Sequence, residues 1–70
     1  MKEIIATMAG TVLNILVANG DNVSGGQEVL ILESMKMEIP IESETDGLIK
    51  EIKVSIGDFV NEGAILIIVE

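Results

Sequence analysis

"GTVLNILVANGDNVSGGQEVLILE", residues 10–33, lies 37 positions ahead of "GLIKEIKVSIGDFVNEGAILIIVE", residues 47–70. The two overlay without a gap, and nine of 24 positions are identical: Gly10/Gly47, Ile15/Ile52, Val17/Val54, Gly20/Gly57, Asp21/Asp58, Val23/Val60, Gly26/Gly63, Ile31/Ile68 and Glu33/Glu70. The same shift lays "KEIIAT" (2–7) near "IPIESE" (39–44). Gly-Asp turns between Val/Ile strands are common, but nine identities in one ungapped register favour duplication over chance. Two copies of a four-strand unit then make one domain, residues 1–70, with approximate two-fold symmetry. Neither copy can bury its apolar face alone.

Residue choice makes these units strands. Twelve Ile and seven Val stand against six Leu, and β-branched side chains suit a pleated, half-buried surface better than a helix. No stretch keeps an apolar three-four spacing over a helical length. Seven glycines recur at short intervals, usually beside Asp, Asn, Ser or Glu, which are turn signals between short strands. The chain reads as all-β, with strands of roughly four to seven residues. Gly10, Gly20, Asp21, Gly26, Gly47, Gly57, Asp58 and Gly63 are read as structural turn residues. The shared Ile-x-Val pairs, Ile15 with Val17 and Ile52 with Val54, have period-two spacing and are expected to point into the core.

Composition removes whole classes of function. There is no cysteine and no histidine, so thiolate metal sites, disulfides and the commonest general base are absent. Asp21 and Asp58 are single carboxylates in tight turns, which read as caps, and no metal site is expected. A net charge of −8 argues against nucleic acid, whose phosphates need clustered Lys and Arg. The longest apolar run, "AILIIV" (64–69), is too short to span a bilayer. No basic-then-apolar leader opens the chain. A cytoplasmic protein, without membrane insertion and monomeric in isolation, is expected. The initial Met and the lack of a Pro/Ala-rich linker favour a whole protein over an excised piece.

One lysine stands apart. Of the four basic residues, Lys36 is the only one between Lys2 and Lys50, and Glu28, Glu33, Glu38 and Glu42 surround it in sequence. It lies between the last strand of the first copy and the first of the second, so symmetry puts "SMKM" at one pole and the termini near the other. A tight hairpin joining "EVLILE" to "EIPIES" fits. With Gly10 and Gly47 read as turn residues, every other connection is expected to contain a glycine; this one does not. Two-residue hairpins favour Asn-Gly because they need positive φ, so Met35 and Lys36 would sit there at a conformational cost. Such strain hints at function.

"ESMKM" (33–37) resembles the attachment motif of biotinyl domains, with Ser34 where Ala is usual. From Met8 onward the chain is similar to biotin carboxyl carrier domains, and most of all to small biotin/lipoyl attachment proteins. The resemblance implies a flattened barrel of two four-stranded antiparallel sheets, the barrel-sandwich hybrid. It implies that Lys36 is joined to biotin through an amide by a biotin protein ligase using biotinyl-adenylate. It further implies that the biotin takes carboxyl from a biotin carboxylase to a carboxyltransferase. Met35 and Met37 match the flanking residues that the ligase and carboxylase read. Three departures stand out. Ala9 replaces a frequent Pro. Val17 runs to Asp21 without the inserted thumb of some carriers, which implies an exposed arm. Ser34 matches the Ser or Thr of lipoyl domains, although those have Asp before the lysine and Ala after it.

A surface lysine taken alone is ordinary, and position and flanks are what distinguish Lys36. An unperturbed lysine amine is protonated at neutral pH, so acylation needs an activated donor and an enzyme to take the proton. That describes a ligase substrate, and the chain is read as a carrier that is not itself an enzyme. Methionines are more often core filler, but a turn tip has little core to fill, so Met35 and Met37 are read as partner contacts. In strict alternation they would share one face, with Lys36 on the other. Glu33, Ser34 and Glu38 are weaker candidates for ligase or partner recognition. Glu33 recurs as Glu70, which favours a structural role, and Ser34 has no base beside it in sequence. Two alternatives stay open: a lipoate carrier of a 2-oxoacid dehydrogenase or glycine cleavage system, and an unmodified binding or structural module.

Overall fold

The computed structural model describes all seventy residues and contains no helix. Eight strands follow in order: β1 Lys2–Ile5, β2 Gly10–Ile15, β3 Asn22–Val23, β4 Glu28–Ser34, β5 Met37–Glu42, β6 Gly47–Ile52, β7 Phe59–Val60 and β8 Ile65–Val69. They form two antiparallel four-stranded sheets ordered β1-β8-β6-β3 and β5-β4-β2-β7. A shift of four strands converts the first order into the second, so the sequence repeat is a structural two-fold. No helix is long and apolar enough to cross a membrane.

The repeat extends to single hydrogen bonds. Gly20 N donates to Ile49 O and Gly57 N to Val12 O, both at 2.8 Å; Gly26 N donates to Ser43 O at 2.7 Å and Gly63 N to Ala6 O at 2.8 Å. Ala18 N donates to Asp21 Oδ2, and Ser55 N to Asp58 Oδ2, both at 2.9 Å. Each Gly-Asp turn therefore caps itself locally and is tied to the opposite copy. Gly20, Gly26, Gly57 and Gly63 have φ of 91°, 90°, 96° and 86°, the left-handed region that side chains disfavour.

Burial obeys the same operator. The apolar core consists of the pairs Ile4/Ile41, Val12/Ile49, Val23/Val60, Val29/Leu66, Leu30/Ile67 and Leu32/Val69, with Ala6 set against buried Ser43. Ser43 keeps its hydroxyl satisfied by donating to Thr45 O at 2.6 Å. Of these pairs Ile4/Ile41 and Val23/Val60 are sequence identities; the other four exchange one aliphatic side chain for another of similar size, as close packing tolerates. Ile15, Val17, Ile52 and Val54 are partly buried at the core's margin.

Two expectations need correction. β3 and β7 are two residues long, shorter than read, because their flanking turns take up the ladder. Gly10 and Gly47 open β2 and β6 and are not turn residues, so the β1–β2 and β5–β6 connections lack glycine just as the β4–β5 connection does. Both residues are glycine because a Cβ at Gly10 would lie 2.7 Å from Glu33 O, and one at Gly47 2.6 Å from Glu70 O. Each is a close approach of backbone to backbone, at the carbonyls of Glu33 and Glu70. Simple alternation also fails in "EVLILE": Val29 and Leu30 are both buried, as are Leu66 and Ile67. The register shifts between Glu28 and Leu30 and at the matching place in the β1–β8 pair, and a bulge turns two successive side chains inward.

Candidate functional site: the β4–β5 hairpin tip

Leu30 pairs with Ile41, Leu32 with Ile39 and Ser34 with Met37, so a two-residue loop, Met35–Lys36, closes the hairpin. Met35 has φ 52° and Lys36 φ 66°. Both are left-handed, as a type I′ turn requires, and they are the only non-glycine residues with positive φ. Leu30 and Leu32 are fully buried and Ile41 nearly so, which anchors the hairpin's base and over-determines its register. The strained conformation is held from below by the core.

The turn interrupts the alternation of side chains, so Met35 and Met37 do not simply share a face. Met37, across from half-buried Ser34, continues the inner row of Leu32 and Ile39 past the end of the core, while Met35 belongs to the loop. Both thioethers are in solvent, Met35 91% exposed and Met37 63%. Lys36 is exposed, and its amine has no carboxylate within ion-pair distance; the molecule's single ion pair is Lys53–Glu51 at 3.3 Å.

On the outer face Glu33 pairs with Glu38, and Ile31 with Pro40. In a two-residue hairpin these are the non-hydrogen-bonded pairs, whose Cα atoms approach to about 4.5 Å. Two consequences follow. The missing N–H of Pro40 would have pointed outward on an edge strand, so the ladder loses nothing. Glu33 and Glu38 face each other at the closest cross-strand spacing, which is destabilising for like charges. Glu28 likewise faces Glu42. The row from Glu38 and Glu33 continues across the sheet to Thr11 and then Phe59. The β2–β3 connection is the short segment Leu16–Asp21. Among the sequence candidates, Ser34, Met35, Lys36 and Met37 come together at the tip, with Glu33 and Glu38 one residue below. Asp21 and Asp58 lie in separate turns.

The duplicated core thus presents the Lys36 amine on a strained, exposed tip. Residues 2–69 match the family model described as "Biotin-requiring enzyme", and the chain belongs to that biotin/lipoyl family. It is 55% identical over 60 residues to the biotin/lipoyl attachment protein of Bacillus subtilis (strain 168), covering 86% of this chain and 82% of that one. It is 32% identical over 68 residues to the biotinylated protein TB7.3 homolog of Mycobacterium leprae (strain TN), covering 97% of this chain and 96% of that one. Its fold superposes on Kluyveromyces lactis urea carboxylase with TM-score 0.92 and 26% identity, over 99% of this chain and 6% of that one.

Proposed function

We propose that the chain is a biotin carboxyl carrier whose Lys36 Nζ holds biotin through an amide bond. The observation that carries this is the exposed, unpaired amine on a glycine-free type I′ turn between two exposed methionines. An amine at a hairpin tip can enter the active site of another protein with little obstruction from the carrier's body. Attack of the deprotonated Nζ on the acyl carbon of biotinyl-adenylate forms the C–N bond, expels AMP, and passes the amine proton to a base in the biotin protein ligase. Once attached, biotin supplies a ring nitrogen that takes carboxyl from a biotin carboxylase and yields it to a carboxyltransferase. The chain contributes placement and recognition, and no catalytic residue of its own.

Met35 and Met37 are assigned to ligase recognition. A thioether offers a soft apolar contact, whereas aspartate in the same pocket would be desolvated without a partner. Glu33, Glu38 and Ser34 are assigned to partner contact just below. The mutual repulsion of Glu33 and Glu38 supports this, because a cationic partner surface would relieve it. Lipoate is the second reading, favoured by the fold shared with lipoyl domains and by the name of the Bacillus subtilis relative. The test follows intact mass over time for wild type, Lys36→Arg, and Met35→Asp with Met37→Ala. Each is incubated with purified biotin protein ligase, biotin and MgATP, and in parallel with lipoate ligase and lipoate. Wild type gains one biotin, Lys36→Arg gains nothing while staying folded, and the double variant loses biotinylation and gains acceptance of lipoate. Biotinylation of Lys36→Arg would refute the site. Undiminished biotinylation of the double variant would refute the role of the methionines.

A further inference from the structure

The duplication supplies an internal control for surface residues. The turns Asn19-Gly20-Asp21-Asn22 and Ile56-Gly57-Asp58-Phe59 make the same hydrogen bonds at the same distances: Ala18 N and Ser55 N each reach the aspartate Oδ2 at 2.9 Å, and Gly20 N and Gly57 N each reach the opposite copy at 2.8 Å. The turn therefore asks nothing of its two flanking side chains, and the first copy fills both places with amides. The second copy fills them with Ile56, 62% exposed, and Phe59, 67% exposed and the chain's only aromatic residue. Leu13, at the register shift of β2, is 39% exposed, where the matching position of β6 holds Lys50. Val12 N donates to Asp58 O, and Gly57 N to Val12 O, both at 2.8 Å, which sets Leu13 beside that turn. One side of the pseudo-two-fold thus carries Leu13, Ile56 and Phe59; the other carries Lys50, Asn19 and Asn22, with Leu48 opposite Asn22 where the first side has Thr11 opposite Phe59.

We propose that Leu13, Ile56 and Phe59 form the docking face for the biotin carboxylase that charges the group on Lys36. This rests on the carrier reading above. The register joins the two surfaces, since Phe59 pairs with Thr11, Thr11 with Glu33, and Glu33 with Glu38 below the tip. An aromatic anchor ending in a carboxylate row fits an apolar hollow with a Lys- or Arg-bearing rim. An enzyme that binds ATP and bicarbonate must gather positive charge at its active site, which makes it electrostatically complementary to this face. A second copy of the chain is a poor occupant, because each brings a net charge of −8. The ligase must engulf the lysine itself, so its footprint centres on the tip. An enzyme acting at the end of the biotin arm can hold the body of the carrier.

The test is the double variant Ile56→Asn with Phe59→Asn, which installs the first copy's own turn residues. Leu13→Lys, the counterpart at Lys50, is a second and independent variant. Each is biotinylated in vitro by biotin protein ligase. Each is then assayed as substrate of a purified biotin carboxylase from the same genome, with MgATP and bicarbonate. The expected result is a wild-type melting curve, wild-type biotinylation, and a KM for the biotinylated carrier raised at least tenfold with kcat unchanged. An unchanged KM in both variants overturns the proposal. So does a parallel fall in ligase rate, which would place the patch in the ligase footprint, or a wild-type dimer in gel filtration that the variants abolish. A wild type that the ligase leaves unmodified overturns the carrier reading instead, and this inference with it.

Discussion

Replacing Met35-Lys36 by Asn-Gly should make the protein more stable while destroying its attachment site. Met35 and Lys36 hold φ of 52° and 66°, and a left-handed conformation costs an ordinary residue on the order of 1 kcal/mol or more. Two such residues store about 2 kcal/mol. Asparagine recovers part of this at the first position and glycine nearly all at the second. Glycine gives back roughly 0.5–1 kcal/mol through the entropy of the unfolded chain. The side chains themselves add little, since Met35 is 91% exposed and Lys36 is exposed and unpaired. The net gain is about 1 kcal/mol, or roughly 4–8 °C in Tm for a domain of this size. Thermal unfolding followed by circular dichroism, with guanidinium titration to check that the m-value is unchanged, measures it directly. An equal or lower Tm would refute the argument that the turn is strained and that its residues were retained for something other than stability.

Three further outcomes follow from the same geometry. Gly10→Ala should lower stability by about 1–3 kcal/mol through overpacking, because the new Cβ meets Glu33 O at 2.7 Å on a strand; a wild-type denaturation midpoint would contradict the close approach. Asp21→Ala and Asp58→Ala each remove one 2.9 Å bond to a backbone N–H; each should cost about 1 kcal/mol, and a large difference between their melting curves would show that the two turns are not equivalent. Glu38→Lys converts the facing pair Glu33/Glu38 into a cross-strand ion pair and should raise stability by roughly 0.5 kcal/mol at low salt; a gain that persists in 1 M salt would have another origin.

The repeat made much of the fold legible, because register and turn chemistry had to be satisfied twice by one sequence pattern. Lys36 was legible for a related reason: it stands at the junction between the two copies, freed from any duty the repeat imposes. Period-two patterning could not reveal the bulges that turn Val29 with Leu30, and Leu66 with Ile67, inward together. Nor could it separate glycines needed for positive φ from Gly10 and Gly47, whose demand is for space against another strand's carbonyl. The contrast of Ile56 and Phe59 with Asn19 and Asn22 was already in the two copies. Its meaning depended on knowing that the turns share their hydrogen bonds and that both apolar side chains are in solvent. Likewise "ESMKME" (33–38) places Glu33 and Glu38 near one lysine, but only the pairing shows that they face each other.

Intact mass and fragment sequencing of the protein isolated from its native host test the central claim most directly. The account predicts one biotinyl group in amide linkage on Lys36 and no modification at Lys2, Lys50 or Lys53. A lipoyl group on Lys36, or an unmodified lysine in cells whose other biotin proteins are loaded, would contradict it.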